Sequence, residues 1–536
     1  MRRGRDIKVT DLSGPAEPLM ELDPKGFMRL PHPYENWHDG EMHQLSEERK
    51  KRAEHCLDGV SVLGVGKPAS QEEEEEAVAR FLDGLRKLFS KENNWTFLQP
   101  LLLSIENCVK CQTCNDACHV YRASGNVAIY RPTFRSEALR RILNKYLTKG
   151  GKVLSTLRGN DIELTWTTIT RLAESAYRCN LCRRCAQTCP LGVDNGLISR
   201  EIRKLFSQEL GITVEELHRD GTVKQLMTGS STGMNPAAFM DVVAFVEEDI
   251  ADRFGLTIKI PIDKAGAEYL VMHNAGEFLS WPQNLQAFAL IFERAGIHWT
   301  LSSEILGYDT VNYGLFYDDV QLARIALIHA QIAKRLKVKK VLLGECGHAH
   351  KVFMATADRI LVGDLAIPRE SALPLLEDIV CNGRINTDPS RNDFPVTLHD
   401  PCCIVRHLGI VHPQRRILRK LCPKFREMEP HGVDNYCCGG GGGLALIQGG
   451  NFPGWRTRLS GRMKFKQILE AFQDCIGPED NKYVCAPCSN CKGQLRDVLR
   501  YYDAGERCHI MYGGLVELIA NSLPGLKEPF IEWEFR

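Results

Sequence analysis

Cysteines are the residues of this sequence most able to do chemistry, and 21 of them are spread over 536 positions. The N-terminus does not resemble an export signal, because Arg2 and Arg3 are followed by Gly4, Arg5 and Asp6 rather than by an apolar segment. A chain of this length also has no need of disulfides for its stability. We therefore expect these thiols to serve metal binding or redox chemistry.

Eight of the cysteines form two runs of identical spacing. This spacing binds two [4Fe–4S] cubanes in bacterial ferredoxins, where the fourth thiolate of each run binds the other cluster. Structural zinc is the alternative for paired cysteines, and the first run has His119 where the second has the closing Pro190. We expect cluster one to be bound by Cys108, Cys111, Cys114 and Cys189, and cluster two by Cys179, Cys182, Cys185 and Cys118.

A further group of cysteines lies towards the C-terminus. It consists of Cys402-Cys403, Cys437-Cys438 and Cys485-x2-Cys488-x2-Cys491. Adjacent cysteines on a strand point to opposite faces, so they converge only at a turn, which the glycine run 439–443 permits. The glycines could instead bind phosphate, but no Lys-Ser/Thr pair follows them and the cysteines would be left unexplained.

These motifs resemble a known family. His399-Asp400-Pro401-Cys402, Cys437-Cys438 with its glycines, and Cys485-Ala486-Pro487-Cys488 are similar to the CCG domain of heterodisulfide reductase catalytic subunits. Together with the two ferredoxin runs, residues from about 100 to 515 resemble the fused subunit type. The degenerate segment Gly344-Glu345-Cys346-Gly347-His348 is similar to the DsrK and HmeD type, the former belonging to the DsrMKJOP membrane complex.

The resemblance implies a set of ligands for a third cluster, a noncubane [4Fe–4S] cluster at which a substrate disulfide is cleaved. Three extra thiols, those of Cys403, Cys491 and Cys346, could replace or join these ligands. The interval between Cys438 and Cys485 is longer than the family pattern and indicates an insertion near 451–455. The implied ligands are Cys402, Cys437, Cys438, Cys485 and Cys488.

The resemblance also implies a function, that of an iron–sulfur thiol:disulfide oxidoreductase in sulfur or sulfate metabolism. Electrons would pass from a quinol-linked haem b membrane subunit of DsrM type through the two cubanes to the noncubane cluster. The substrate would be a disulfide or trisulfide of a small DsrC-like protein. We expect the chain at the cytoplasmic face of the membrane, held there by its partner, because no window reaches the ~18 apolar residues of a spanning helix.

Two other functions fit the same motifs. One is the iron–sulfur subunit of a glycolate, lactate or glycerol-phosphate dehydrogenase, with the flavin in another subunit; the other is an electron-transfer adaptor without a substrate. Nucleic acid is not expected as a partner, because 68 Lys and Arg balance 67 Asp and Glu. Structural roles are expected for the lone cysteines and for three histidines near the motifs, namely Cys56, Cys381, Cys422, Cys475, Cys508, His348, His399 and His407.

The elements that must position these residues follow from the patterning. Residues 1–66 predict an extended arm, and 67–250 predict a helical ferredoxin-like domain that opens with a helix capped by Ser70. Beyond 266, short apolar runs at 269–272, 299–301, 341–343, 396–398 and 483–484 alternate with helices such as 322–337. This alternation predicts parallel sheets whose sites lie at the carboxyl ends of the strands.

The fold class expected is therefore α+β with several domains. The α/β part is a faint duplication, because the strand ends at His273 and Glu345 are matched by those at His399 and Cys485. We assign residues 266–390 to a degenerate first CCG-type repeat and residues 391–536 to a second repeat that carries the noncubane cluster.

Overall fold

The computed structural model of the chain describes residues 55–58, 62–94, 96–159, 161–304, 307–447, 452 and 454–535. The chain divides into two compact units, neither of them continuous in sequence. The first unit comprises residues 1–217, 316–318 and 439–464, and the second comprises 218–315, 319–438 and 465–536. The first unit thus ends before the boundary expected at 250 and includes a segment of the C-terminal repeat. Most of the arm predicted over 1–66 lies outside the described residues.

The first unit is helical where it is described. Its apolar helix faces meet in a core around Phe81, Ile202 and Phe206, each no more than 1% exposed. The first helix begins as predicted, because the Ser70 hydroxyl accepts a hydrogen bond from the Glu73 amide at 3.2 Å. The α-helices are Gln71–Leu88, Leu98–Glu106, Thr113–Ala117, His119–Ala123, Pro132–Tyr146, Gly151–Leu157, Trp166–Tyr177, Arg184–Thr188, Asn195–Leu210 and Glu215–Leu217.

The second unit contains two four-stranded sheets in which every strand pair is parallel. The first sheet has the order β2-β1-β3-β4 and the second the order β6-β5-β7-β8. The predicted strands are confirmed, and three further short strands, β4, β6 and β8, are added to them. The strands are β1 Tyr269–Met272, β2 Trp299–Thr300, β3 Lys340–Leu343, β4 Arg369–Ser371, β5 Val396–Leu398, β6 Phe425–Arg426, β7 Lys482–Cys485 and β8 Ile510–Gly513.

Helices alternate with these strands, which confirms the α+β class. The helix predicted over 322–337 is observed as Asp319–Arg335. None of the helices in the described ranges has both the length and the apolar character needed to cross a bilayer. The other α-helices after residue 218 are Lys224–Thr228, Pro236–Phe254, Ala275–Ser280, Pro282–Ala295, Gly347–His350, Ala372–Cys381, Cys402–Val405, Pro413–Leu421, Arg462–Ala471, Ser489–Tyr501, Ala504–Cys508 and Leu515–Asn521.

The register of the two sheets shows which residues of the repeats correspond. Met272 pairs with Leu343 in the first sheet, and Leu398 pairs with Cys485 in the second. Cys346 lies three residues after Leu343, and Cys488 lies three residues after Cys485. Each of the two is the N-cap of the helix that follows it. Cys346 therefore occupies in the first repeat the place of Cys488 in the second.

Candidate metal centres

The four thiols expected to bind cluster one share a single cavity. Val109 and Leu191 contribute to the apolar walls of this cavity. Burial, together with the neighbouring thiolates, raises the pKa of the Cys114 thiol to about 12. The cysteines that line the cavity are Cys108, Cys111, Cys114 and Cys189, so the structure brings together the set that the spacing predicts.

The thiols expected to bind cluster two are also neighbours. Burial, together with the thiolates of Cys182 and Cys179, raises the pKa of Cys118 to about 11. Burial likewise raises the pKa of Cys185 well above its ordinary value, with Asp194 and the thiolates of Cys182, Cys179 and Cys118 as further causes. The last thiol of the first run is thus surrounded by the second run, which is the crossed arrangement that two linked cubanes require.

The backbone follows the same path in both runs. Lys110 and Gln112 have positive φ angles of 59° and 65°, and their counterparts Leu181 and Arg183 have angles of 53° and 61°. Non-glycine residues adopt this conformation only rarely and at some cost. Its repetition at equivalent positions indicates that both runs are shaped to wrap the same kind of group.

His119, which replaces the expected proline, has a structural partner within the first unit. Its Nε2 lies 2.9 Å from Oδ1 of Asn180, the residue that follows the cluster-two cysteine Cys179. The Asn180 side chain donates through Nδ2 to the carbonyl of Gly439 at 2.7 Å and accepts from the Ser460 hydroxyl at 2.8 Å. The departure from the ferredoxin pattern therefore serves a buried network that fixes the loop of cluster two.

The glycine run is explained by its close approach to that loop. A Cβ atom at Gly441 would lie 2.7 Å from the carbonyl oxygen of Asn180, and one at Gly442 would lie 2.8 Å from that of Cys179. Arg203 strengthens the contact by donating to the carbonyls of Gly442 at 2.6 Å and Cys179 at 2.7 Å. The glycines thus lie against protein backbone, which gives no support to a phosphate-binding role.

In the second unit, the CCG cysteines converge around Cys438. The Cys438 thiol donates to the Cys491 sulfur at 3.5 Å, and a ring nitrogen of His399 lies within 4.8 Å of both sulfurs. Hydrogen bonding with Cys437, Cys491 and His399 lowers the pKa of Cys438 well below that of an ordinary thiol. A lowered pKa favours the thiolate form, which is the form that binds a metal.

The remaining thiols extend this group. A hydrogen bond with Cys402, together with burial and the nearby Cys488, raises the pKa of Cys403 well above its ordinary value. Hydrogen bonds involving Cys438 and Cys488 likewise raise the pKa of Cys491 well above its ordinary value. Six thiols therefore lie in one buried neighbourhood, those of Cys402, Cys403, Cys437, Cys438, Cys488 and Cys491.

Cys485, which the resemblance implies as a ligand, is not among these six thiols. It is the last residue of β7, fully buried, and part of the apolar core of the second unit. The charged groups nearest to it are Glu345, Cys422 and Glu517 rather than the clustered thiols. Cys491, one of the extra thiols noted in the sequence, lies in the group, because Cys488 and Cys491 stand three residues apart where a helix begins and share one face of it.

The loop that carries Cys346 in the first repeat contacts this neighbourhood. The Gly347 amide donates to the Cys488 sulfur at 3.4 Å. Cys346 itself is fully buried and accepts from the Ala349 amide at 3.4 Å and from Asn274 Nδ2 at 3.8 Å. Cys346 thus lies beside the thiol group, as its position at a strand end predicts.

Of the three histidines near the motifs, His399 differs from its expected structural role because it is grouped with two of the thiols. His348 is structural as expected, since its Nε2 is 3.0 Å from the Asn312 carbonyl and burial lowers its pKa to about 4. His407 Nδ1 is 3.4 Å from the Cys402 carbonyl. Among the lone cysteines, Cys56, Cys422 and Cys508 are buried and Cys381 and Cys475 are partly buried.

The donor sets fit iron–sulfur clusters. Each ferredoxin-type group offers four thiols, the soft ligands that iron–sulfur clusters take, and buried thiols with raised pKa values are stabilised as thiolates by a cationic centre. The third group has six thiols, more than the four ligands of a structural zinc ion. The subset of His399, Cys438 and Cys491 could by itself hold a single metal ion.

Comparison with known proteins agrees with this arrangement. A family model described as a 4Fe-4S dicluster domain matches residues 104–193, and one described as a cysteine-rich domain, CCG, matches residues 396–496. The first match contains all eight ferredoxin-spaced cysteines. The second contains the six clustered thiols and His399.

Several known proteins are similar to most of the chain. The Hdr-like menaquinol oxidoreductase iron-sulfur subunit 2 of Archaeoglobus fulgidus is 25% identical over 493 residues, 83% of each chain. One subunit of the dihydromethanophenazine:CoB–CoM heterodisulfide reductase of Methanosarcina acetivorans is 26% identical over 352 residues, 64% of this chain and 80% of its own. The EtfAB:quinone oxidoreductase of Syntrophomonas wolfei is 20% identical over 457 residues, 78% of this chain and 58% of its own. The chain thus carries a 4Fe-4S dicluster domain and a CCG domain, and over most of its length it is similar to iron–sulfur subunits of the heterodisulfide reductase type.

Proposed function

We propose that this chain is the disulfide-reducing subunit of a membrane-associated respiratory complex, of the kind to which DsrK belongs. Electrons come from a haem b or quinol-linked partner, pass through the two cubanes and reach a noncubane [4Fe–4S] cluster in the CCG domain. The observation that carries this proposal is the convergence of six thiols and His399 in one buried neighbourhood, in a chain that also carries two ferredoxin-type sites.

The residues of this neighbourhood have distinct proposed roles. Cys402, Cys437, Cys438, Cys488 and Cys491 hold the noncubane cluster, with Cys403 as the alternative to Cys402. The cluster supplies two-electron chemistry at sulfur, which cubanes that carry single electrons do not. His399 lies within 4.8 Å of two of the thiols and is placed to hold the proton that a departing thiolate takes up.

The substrate we propose is a disulfide or trisulfide of a small DsrC-like protein. Support comes from the relatives, which are named as Hdr-like menaquinol oxidoreductase and heterodisulfide reductase subunits. We place the chain at the cytoplasmic face of the membrane, bound to a DsrM-like haem b subunit. The dehydrogenase alternative predicts bound flavin elsewhere in the purified complex.

The test begins with metal analysis of the complex isolated without oxygen. We expect about twelve Fe per chain, four for each of three clusters. Zinc in place of iron would refute the proposal, and about eight Fe would limit it to the two cubanes.

The Cys438→Ser variant then separates an enzyme from an adaptor. It should abolish reduction of an oxidised DsrC-like protein while the cubane EPR signals persist, because the cubane ligands belong to the other unit. Cys422→Ser, a buried core cysteine outside the thiol group, is the matched control and should keep the activity. If Cys438→Ser reduced the protein disulfide at the wild-type rate, the adaptor function would replace the proposed one. If the wild type reduced the CoB–CoM heterodisulfide faster than the protein disulfide, only the proposed substrate would change.

A further inference from the structure

An open cleft of about 770 Å³ lies in the first unit beside cluster one. Four cations line it, Lys110, Arg140, Arg141 and Arg158, against the single carboxylate of Glu137. The charged side chains of the cleft therefore have a formal net charge of +3, although the whole chain has a charge of only +1. The positive charge is concentrated here rather than spread over the molecule.

The arrangement of these charges leaves the excess facing outwards. Lys110 Nζ and Arg141 Nε contact the same Glu137 oxygen at 2.7 and 2.9 Å, and Arg140 Nε contacts the other at 3.1 Å. One carboxylate with only 12% of its side chain exposed thus orders three cations. Arg158 is exposed and has no ion pair with any residue in the described ranges.

The cleft adjoins the residues that would hold cluster one. Lys110 stands between Cys108 and Cys111 in the first run and also lines the cysteine cavity. Arg140 Nη1 donates to the carbonyl of Cys108 at 3.0 Å. The cleft is therefore connected to cluster one through both backbone and side chains.

Exposed apolar residues surround the same cysteines. Val109 and Leu191, which line the cavity of cluster one, are 66% and 48% exposed, and the Cys111 thiol is also exposed. Leu154, in the wall of the cleft, is 43% exposed. An apolar centre with a charged rim is the usual composition of a protein–protein contact, and complementary charge accelerates the encounter.

We propose that this surface, defined by Val109, Leu191, Lys110, Arg140, Arg141 and Arg158 and here called the basic docking face, binds an acidic surface of the electron-transfer protein that reduces cluster one. The inference rests on the proposed function, since it names the place where electrons enter. The partner is specified by its chemistry: carboxylates around an apolar centre, with a redox group close to that surface. A small contact of this kind suits rapid electron exchange.

The charge of the basic docking face can be neutralised without removing the contact that organises it. Arg158→Glu combined with Arg141→Gln changes the charge by −3, and the glutamine can still donate to Glu137. Arg86→Glu combined with Lys91→Gln changes the charge equally on another exposed part of the first unit and serves as the control.

Stopped-flow reduction of cluster one by the native donor subunit should then be slowed about tenfold or more in the docking-face variant at low ionic strength. The wild-type rate should fall with added salt, whereas the variant rate should hardly respond. The control variant should behave as the wild type does. Equal rates for the two variants would overturn the proposal.

Reduced benzyl viologen at 0.5 M salt separates this result from a failure of the proposed function. This small donor needs no docking face, so wild type and variant should reduce the protein disulfide equally. If neither wild type nor variant reduces the protein disulfide with benzyl viologen, the proposed function fails. If both reduce it, and the native donor also reduces cluster one at the same rate in both, only the basic docking face fails.

Zero-length carbodiimide cross-linking of the intact complex provides a second measurement that requires no variant. The reagent joins the Lys110 amine to a carboxylate in contact with it. We expect a cross-linked peptide from a redox-active subunit. Cross-links from Lys110 only to other parts of this chain, or to a subunit without a redox group, would refute the proposed occupant.

Discussion

The two α/β repeats of the second unit have the same strand order, but only the second repeat gathers thiols. Cys346 and Cys488 occupy equivalent places, whereas Gly276 stands where Cys402 does, four residues after the paired ends of β1 and β5. Asn274 likewise corresponds to Asp400. The first repeat has therefore kept the frame of the site and one of its cysteines.

What the first repeat contributes instead is support for the site of the second. The Glu345 carboxyl accepts from the amides of Leu515 and Val516 at 2.8 and 3.1 Å, and its backbone carbonyl accepts from the Ser489 amide at 2.8 Å. With the bond from Gly347 to the Cys488 sulfur, the loop after β3 reaches the start of two helices of the other repeat. A duplicated domain can thus lose its ligands and remain as the part that positions those of its twin.

The sharpest test replaces the two equivalent cysteines. Cys488→Ala should remove about four Fe per chain and lower disulfide reduction by about 100-fold or more, since even outer-shell changes cost 10–100-fold. Cys346→Ala should keep its iron, because its closest hydrogen bonds are to Asn274 and Ala349 of its own repeat. The measurements are the iron content and the rate of disulfide reduction of both variants. Equal loss of iron in both variants would mean that the two repeats bind the cluster jointly.

A second pair of variants tests the place of the ligands within the second repeat. Cys491→Ser should remove the noncubane cluster, because Cys491 lies 3.5 Å from Cys438. Cys485→Ser should keep the cluster and instead lower the free energy of unfolding by about 1–3 kcal/mol, since a hydroxyl would be buried in an apolar core. Iron content and thermal unfolding, measured on both variants, distinguish the two effects. Loss of iron from Cys485→Ser alone would restore the ligand set that the resemblance implies.

The stability that Glu345 contributes, as the residue that links the two repeats, should depend on pH. Burial raises the pKa of Glu345 to about 8, above the ~4.3 of an unfolded chain. The folded protein thus binds this proton more tightly than the unfolded chain does. The contribution of Glu345 to the free energy of unfolding is therefore fully present below about pH 4, falls as the pH rises, and is constant above about pH 8.

Glu345→Gln has no such proton to lose. Its thermal stability relative to wild type should therefore increase between pH 5 and 8, by an amount on the order of a few kcal/mol. Glu293→Gln, at an exposed helix position, controls for the removal of one charge. A difference between Glu345→Gln and wild type that is independent of pH would contradict the protonated state of this carboxyl.

The smallest effect is expected at the point where the loop after β3 approaches the thiols. A Cβ atom at position 347 would lie 3.2 Å from the Cys488 sulfur and 3.4 Å from Cβ of Pro401. Gly347→Ala should therefore lower the free energy of unfolding by about 1 kcal/mol and shift the reduction potential of the third cluster. Gly66→Ala, where an added Cβ meets nothing within 4 Å, is the control. An unchanged potential would indicate that the loop gives way without disturbing Cys488.

Much of the fold can be predicted from the sequence because the central strands are apolar and short. Tyr269–Met272 and Val396–Leu398 are bounded as their patterns predict, whereas β4, with Arg369 and Glu370, and the two-residue β6 carry no such signal. These strands form through pairing with a neighbour rather than through their own propensity.

The two cubane sites are equally accessible to prediction, because their spacing is fixed by the shape of a cluster. The third site is less so. Cys485 and Cys491 are equally spaced from Cys488, and only the start of the helix at Ser489 decides which of them faces the other thiols. The helical spacing of Cys488 and Cys491 was the available signal.

The order of synthesis has a consequence for the first unit. Residues 439–464 complete this unit, yet the ribosome makes them about 250 residues after Leu217. Asn180 bonds to Gly439, and Tyr130 bonds to the fully buried Trp455. At 5–20 residues per second, the later partner of each bond is made on the order of 10–50 s after the earlier one. A chain that stops short of residue 439 never supplies them, so the loop expected to bind cluster two gains these contacts only in a chain that has already made Cys437 and Cys438.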